Sequence, residues 1–295
     1  MIELDESHVV GPGEAWLYES PLWDHRRQVM LWVDVDAGDV YEHDPSTDVT
    51  SRHHVAGTVS CIALRAAGGY VLATRDAVAV VDAALDGVQV VAELPGLPED
   101  ARLNDGAVSP DGAFWVGSMT HDRIGAGVLF RVDPDHSFAQ VLDGVSISNG
   151  MDWAADAGGD HYYADTMTGR VDVLRTGPAP GGWALHSREP WFRTPDGPGL
   201  PDGLAVDADG HVWVALWGAG EVVRVSPTGD VVATVRVPAR QTSCVAFGGP
   251  DLTDMYITTA TENLTAEDLA AHPLSGSVFR WRGDVAGRRS REWQG

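Results

Sequence analysis

Six polar residues recur along the chain at near-regular intervals: Glu19, Ser60, Asn104, Asn149, Asp202 and Ser243, spaced 41, 44, 45, 53 and 41 apart. Four of them, Glu19, Asn104, Asn149 and Asp202, offer carboxylate or amide oxygens. Oxygen donors without His or Cys favour a hard divalent cation: calcium first, then magnesium or manganese, with zinc or ferrous iron where oxygens suffice. Two carboxylates balance the charge of such an ion. Three or four protein oxygens leave coordination positions for water and substrate, which catalysis needs and a structural site does not. Taken singly, each of these residues is an ordinary backbone-bonding side chain of a turn. The chemistry requires that they converge.

The element that would bring them together is a repeat. Each polar residue stands just before a short strand with apolar positions at period two: Pro21/Trp23, Ile62/Leu64, Gly106/Val108, Met151/Trp153, Leu204/Val206 and Val245/Phe247. After a turn rich in Asp and Gly comes an apolar-aromatic run, such as Leu31-Trp32-Val33-Asp34, Phe114-Trp115-Val116-Gly117 or Tyr162-Tyr163-Ala164-Asp165. Short runs of β-branched and aromatic residues bounded by Gly and Asp read as buried strands. A Gly then opens a third, alternating strand in most units, as in Gly127-Val128-Leu129-Phe130, and a fourth follows, for example Val231 to Val237.

Six such units predict an all-β fold, a six-bladed β-propeller with four-stranded antiparallel blades. It forms a single domain over residues 1–295 and hides its sheet edges by radial closure. First strands line the channel of a propeller, so the six polar positions meet at one mouth. The sixth unit has a weak fourth strand, and residues around Ser7 to Val10 are expected to close the ring on it. The only helical stretch expected is a short one at Ala266 to Ala271.

Lys plus Arg number 20 against 43 Asp plus Glu, a formal charge of −23. So acidic a surface repels phosphate backbones and anionic headgroups, which argues against nucleic-acid or membrane partners. No apolar run is long enough to span a bilayer and no secretory leader is visible, so the expected setting is cytoplasmic, as a monomer or weak homo-oligomer. The two cysteines, Cys61 and Cys244, are expected to be reduced and buried.

The motifs Glu19-Ser20-Pro21-Leu22-Trp23-Asp24, Arg102-Leu103-Asn104-Asp105-Gly106, Ser148-Asn149-Gly150-Met151-Asp152-Trp153, Pro201-Asp202-Gly203-Leu204 and Phe247-Gly248-Gly249 resemble the gluconolactonase and regucalcin (senescence marker protein) family of six-bladed propellers. The resemblance covers nearly the whole chain. It implies that Glu19, Asn149 and Asp202 bind one divalent metal, that Asn104 lies beside it, and that Arg102 contacts the substrate. The same resemblance implies that Asp122, after the Gly117-Ser118-Met119 strand, would occupy a substrate-contacting acidic position where the family often carries Glu. The implied reaction is hydrolysis of a sugar-acid lactone to the aldonic acid, with Asp202 as the candidate base. Water activated by the cation is the rival to that base, because coordination lowers carboxylate basicity.

Other readings of the same scaffold are a phosphotriesterase-type hydrolase, a specialised biosynthetic enzyme, and a calcium-binding propeller without catalysis. The segment Pro178 to Gly199 accounts for the longest interval and reads as a loop over the channel mouth. Trp217, four residues after Trp213 in a strand and loop region, has two readings, a ligand-pocket wall and core packing, of which core packing is preferred.

Overall fold

The computed structural model describes residues 1–13, 15–120, 123–154, 160–180 and 182–295. Its second strands are the buried apolar-aromatic runs: every residue of Val29–Asp34, Tyr70–Ala73 and Phe114–Thr120 is buried. The turns between strands use the left-handed conformation where the chain must reverse, as at Gly112 and Gly210, with φ of 83° and 82°.

Strands that follow one another in sequence pair antiparallel into successive sheets. The first holds Tyr18–Asp24, Val29–Asp34, Asp39–Asp44 and Val49–His54. The second holds Cys61–Arg65, Tyr70–Ala73, Ala77–Val81 and Gln89–Glu93, with Glu292–Trp293 added in parallel to its first strand. The third holds Ala101–Val108, Phe114–Thr120, Gly127–Val132 and Phe138–Val145. The fourth holds Ser148–Trp153, Asp160–Asp165, Arg170–Ala179 and Gly182–Arg193.

The remaining nine strands form one sheet in which a single residue pair, Trp217 with Gln241, joins two groups. One group runs from Leu200–Val206 through Val212–Trp217 and Glu221–Val225 to Val231–Arg236, with Ile2–Glu3 in parallel on its edge. The other runs from Gln241–Gly248 through Asp254–Ala260 to Val278–Arg282. Its last place is taken by Val9–Val10, which pairs with Phe279 and Val278. The N-terminal segment thus completes the last group, as expected from the sequence. The helix Ala266–Ala271 is also present, capped by Thr265 and Asp268.

The first strands pack against one another in chain order, and Gln241–Gly248 returns to Tyr18–Asp24. Apolar clusters fill the spaces between successive sheets. Leu22, Leu31 and Val33 meet Ile62, Leu64 and Leu72, for instance, and Trp115 and Val145 meet Met151 and Trp153. Such face-to-face burial holds the first strands rigidly in place.

The segment Pro178 to Gly199 is not a loop over the mouth. Most of it lies in the long outer pairing of Arg170–Ala179 with Gly182–Arg193. Trp183 anchors that hairpin under the Arg131 guanidinium, 4.0 Å from the ring centroid.

Candidate metal centre and substrate cavity

Four of the polar residues, Glu19, Asn104, Asn149 and Asp202, line one cavity from strands that are irregular. Register between first and second strands slips between Glu19 and Leu22, Leu103 and Gly106, Ser148 and Met151, Pro201 and Leu204, and Thr242 and Cys244. A bulge re-aims a side chain that strict alternation would send elsewhere. Cys61–Arg65, which Ser60 precedes, pairs without such a slip.

Glycine beside the bulge lets neighbouring first strands close in. A Cβ on Gly150 would lie 2.5 Å from the Leu204 nitrogen, and one on Gly203 would lie 2.2 Å from Cys244 Sγ. This is the physical content of the Asn-Gly and Asp-Gly pairs read in the sequence.

Glu19, Asn104, Asn149 and Asp202 are all buried and line one cavity of about 270 Å³ together with Arg102. Arg102 Nη1 donates to the Leu103 carbonyl at 3.0 Å and to Asn104 Oδ1. Asn104 Nδ2 donates to the Ser148 carbonyl at 2.8 Å and to Asn149 Oδ1 at 3.3 Å. Asn149 Nδ2 donates to Thr166 Oγ1 at 2.8 Å. The backbone N–H of Ser20 donates to Glu19 Oε2 at 3.0 Å.

Ser60 and Ser243 do not line this cavity. The Ser243 hydroxyl is turned to the Tyr18 carbonyl, 2.6 Å away, and to Thr258 Oγ1. Asp122 lies outside the described residues.

The electrostatics are those of anions crowded in a dry place. Burial, then the charge of Asp105, pushes Glu19 up to about 8. Burial raises Asp105 to about 6. Asp202 is raised well above the usual carboxylate range by burial and then by Glu19, Asp105 and Glu262. Burial draws the Arg102 guanidinium down, opposed by Asp36, Glu262, Glu19 and Asp202.

Asp202 Oδ1 is buried without a hydrogen-bond partner. Among the described residues no three His, Cys, Asp or Glu side chains form a group that could hold a metal ion; the cavity adds asparagine amide oxygens to its carboxylates. The orphaned oxygen of Asp202, the Glu19 carboxylate and the Asn149 amide oxygen fit a hard divalent ion.

Several residues of this region escaped the sequence reading. Asp105, inside a motif singled out for its neighbour Asn104, faces the other way and lines a second cavity of about 160 Å³ with Cys244, Arg288 and Arg291. Thr166, Glu262 and Asn263 follow second strands, where attention to first strands could not find them. Trp217, expected in the core, is half-buried. It packs against core residues on one side and lines the cavity beside Leu200 on the other.

Comparison with known proteins adds the lineage. Residues 17–261 match the SMP-30/Gluconolactonase/LRE-like region. The chain is 38% identical over 275 residues to the 6-deoxy-6-sulfogluconolactonase of Pseudomonas putida, covering 92% of each chain. It is 34% identical over 279 residues to regucalcin of Xenopus laevis, covering 90% of each. Among solved structures it is similar to a calcium-binding protein, regucalcin, from Agrobacterium tumefaciens, with a TM-score of 0.90, 27% identity and 99% and 98% coverage.

Proposed function

The chain belongs to the SMP-30/gluconolactonase/LRE-like family, and from that premise we propose that it is a divalent-metal-dependent hydrolase that opens a sugar-acid lactone to the aldonic acid. One observation carries the reading: Glu19, Asn149 and Asp202 share a buried cavity with Arg102, and Asp202 Oδ1 has no hydrogen-bond partner there. In this reading Glu19, Asn149 and Asp202 hold one ion, calcium by preference, and Asn104 lies beside it. The Pseudomonas relative, a 6-deoxy-6-sulfogluconolactonase, supports a sugar lactone as substrate. The Agrobacterium structure, that of a calcium-binding protein, supports calcium.

When bound, the ion would polarise the lactone carbonyl and stabilise the charge that develops on its oxygen. Arg102 uses Nη1 to hold Leu103 and Asn104, and its remaining N–H groups are assigned to a ring oxygen or hydroxyl of the substrate. Asp122 is assigned a second substrate contact. Trp217 and Leu200 offer the C–H face of the sugar an apolar wall. Asp202 takes a proton from the water that attacks the carbonyl carbon. Coordination would lower its basicity, and water activated by the cation stays the rival to Asp202 for that step. The ester C–O bond breaks and the ring oxygen leaves as the hydroxyl of the aldonic acid, carrying that proton.

The same reading takes residues 1–295 as one six-bladed propeller, supported by the closed order in which the first strands pack. It places the protein in the cytoplasm as a monomer or weak homo-oligomer. Acid release from aldonolactones by chelator-treated protein, before and after calcium is returned, tests the activity.

A further inference from the structure

The amide of an asparagine ligand has two faces, and only one can bind a cation. A hydrogen-bond chain of fixed polarity settles which face each asparagine turns to the cavity. It begins at Arg102, whose guanidinium can only donate, and which gives a hydrogen bond to Asn104 Oδ1. Asn104 Nδ2 passes the direction on to the Ser148 carbonyl and Asn149 Oδ1. Asn149 Nδ2 donates to Thr166 Oγ1 at 2.8 Å, and Thr166 Oγ1 donates to the Pro201 carbonyl at 2.9 Å. A peptide carbonyl can only accept. The Thr166 hydroxyl therefore commits its proton to Pro201 and has only lone pairs left for Asn149, which must answer with its NH₂ group.

We propose that Thr166 is a positioning residue that locks the Asn149 amide with its oxygen toward the cavity, tying it to the strand that carries Asp202. This rests on the metal reading above for its consequence, though not for its geometry. Thr166 is placed for the role by its own turn. Its backbone N–H donates to the Ile147 carbonyl at 3.1 Å, and the preceding Asp165 accepts from the N–H groups of Ser146 and Ile147 at 3.2 Å each. The turn is thus fixed to the entrance of the strand that bears Asn149.

Calcium and manganese titrated calorimetrically into metal-free protein test the consequence. Thr166→Val keeps the shape and loses the hydroxyl, and should weaken either ion by about 10–100-fold, the usual cost of losing a group that orients a ligand. Thr166→Ser should restore affinity to within about threefold of wild type. In an Asn149→Asp background, where both oxygens are equivalent, Thr166→Val should cost less than about threefold. A purely structural contribution would cost the same in both backgrounds, and that result overturns the proposal, as does an unchanged affinity in Thr166→Val.

The orientation is read separately from hydrogen exchange of the Asn149 side-chain NH₂ in metal-free protein by NMR. Protection should be present in wild type and Thr166→Ser and lost in Thr166→Val; equal exchange in all three overturns the proposal. If wild-type protein takes up neither ion, the metal reading falls, and the exchange result still decides the role of Thr166.

Discussion

The peptide carbonyl of Asp202 lies 2.6 Å from the point where a side chain on Gly150 would begin. Two first strands that carry proposed ligands, Asn149 and Asp202, are therefore held closer than any other residue at position 150 would allow. Gly150→Ala should wedge them apart. Overpacking of this kind costs about 1–3 kcal/mol, and in a chain of this size about 2–4 °C of Tm for each kcal/mol. Thermal unfolding with and without calcium should show a lower Tm and a smaller rise on adding the ion. An unchanged Tm would mean that the strands yield without cost.

The crowded carboxylates make metal-free stability fall with pH. Glu19 is raised from an ordinary 4.5 to about 8 and Asp105 from 3.8 to about 6, so above the ordinary values the folded chain holds protons that the unfolded chain has released. Stability is then greatest at the acidic end of this window and declines as pH rises toward 8. Chelator-treated protein should lose Tm steadily from pH 5 to pH 8, and Glu19→Gln should remove much of the slope. A Tm that climbs across that range would contradict the sign.

Asp202→Asn separates activity from stability. Removing the candidate base should lower kcat by about 10²–10⁴-fold. The neutral amide ends the repulsion from Glu19, Asp105 and Glu262, so metal-free variant protein at pH 8 should melt above wild type. Near wild-type turnover would remove Asp202 from the reaction.

Arg102→Ala should act chiefly on KM, raising it on the order of tenfold or more if the guanidinium only positions substrate. Some loss of kcat follows from freeing Asn104, whose Oδ1 Arg102 holds. Steady-state kinetics on the best lactone measures the split. A loss confined to kcat would move Arg102 into the chemistry.

The repeat was legible because its second strands are buried on both faces and so written in β-branched and aromatic residues. The closing strand at Val9–Val10 followed from the missing partner in the last unit. The polar positions were legible too, but Glu19, Asn104, Asn149, Asp202 and Ser243 lie inside their first strands rather than before them, and their equivalence was not real. Glu19, Asn104, Asn149 and Asp202 turn into the cavity, while Ser243 bonds the Tyr18 carbonyl. A register slip falls at Ser243 as it does at the other four, so the difference lies in the partner each side chain meets on the neighbouring strands, which no local pattern records.

Thr166 was invisible for a related reason. Its partners, Asn149 and Pro201, are 17 and 35 residues away, and a threonine after a strand looks like any turn residue. The outer hairpin ending at Arg193 was misread because composition alone does not separate a hairpin from a lid, and Trp217 serves as both core and cavity wall, which composition alone does not show.

Acid release from a panel of aldonolactones, followed by pH-stat, tests the central claim most directly. The protein should be assayed as purified, after chelation, and after separate return of calcium, manganese, zinc and ferrous iron. The account predicts hydrolysis that disappears on chelation and returns with a divalent ion. A protein that binds and is stabilised by such an ion yet opens no lactone would contradict the assigned reaction, and activity indifferent to chelation would contradict the metal.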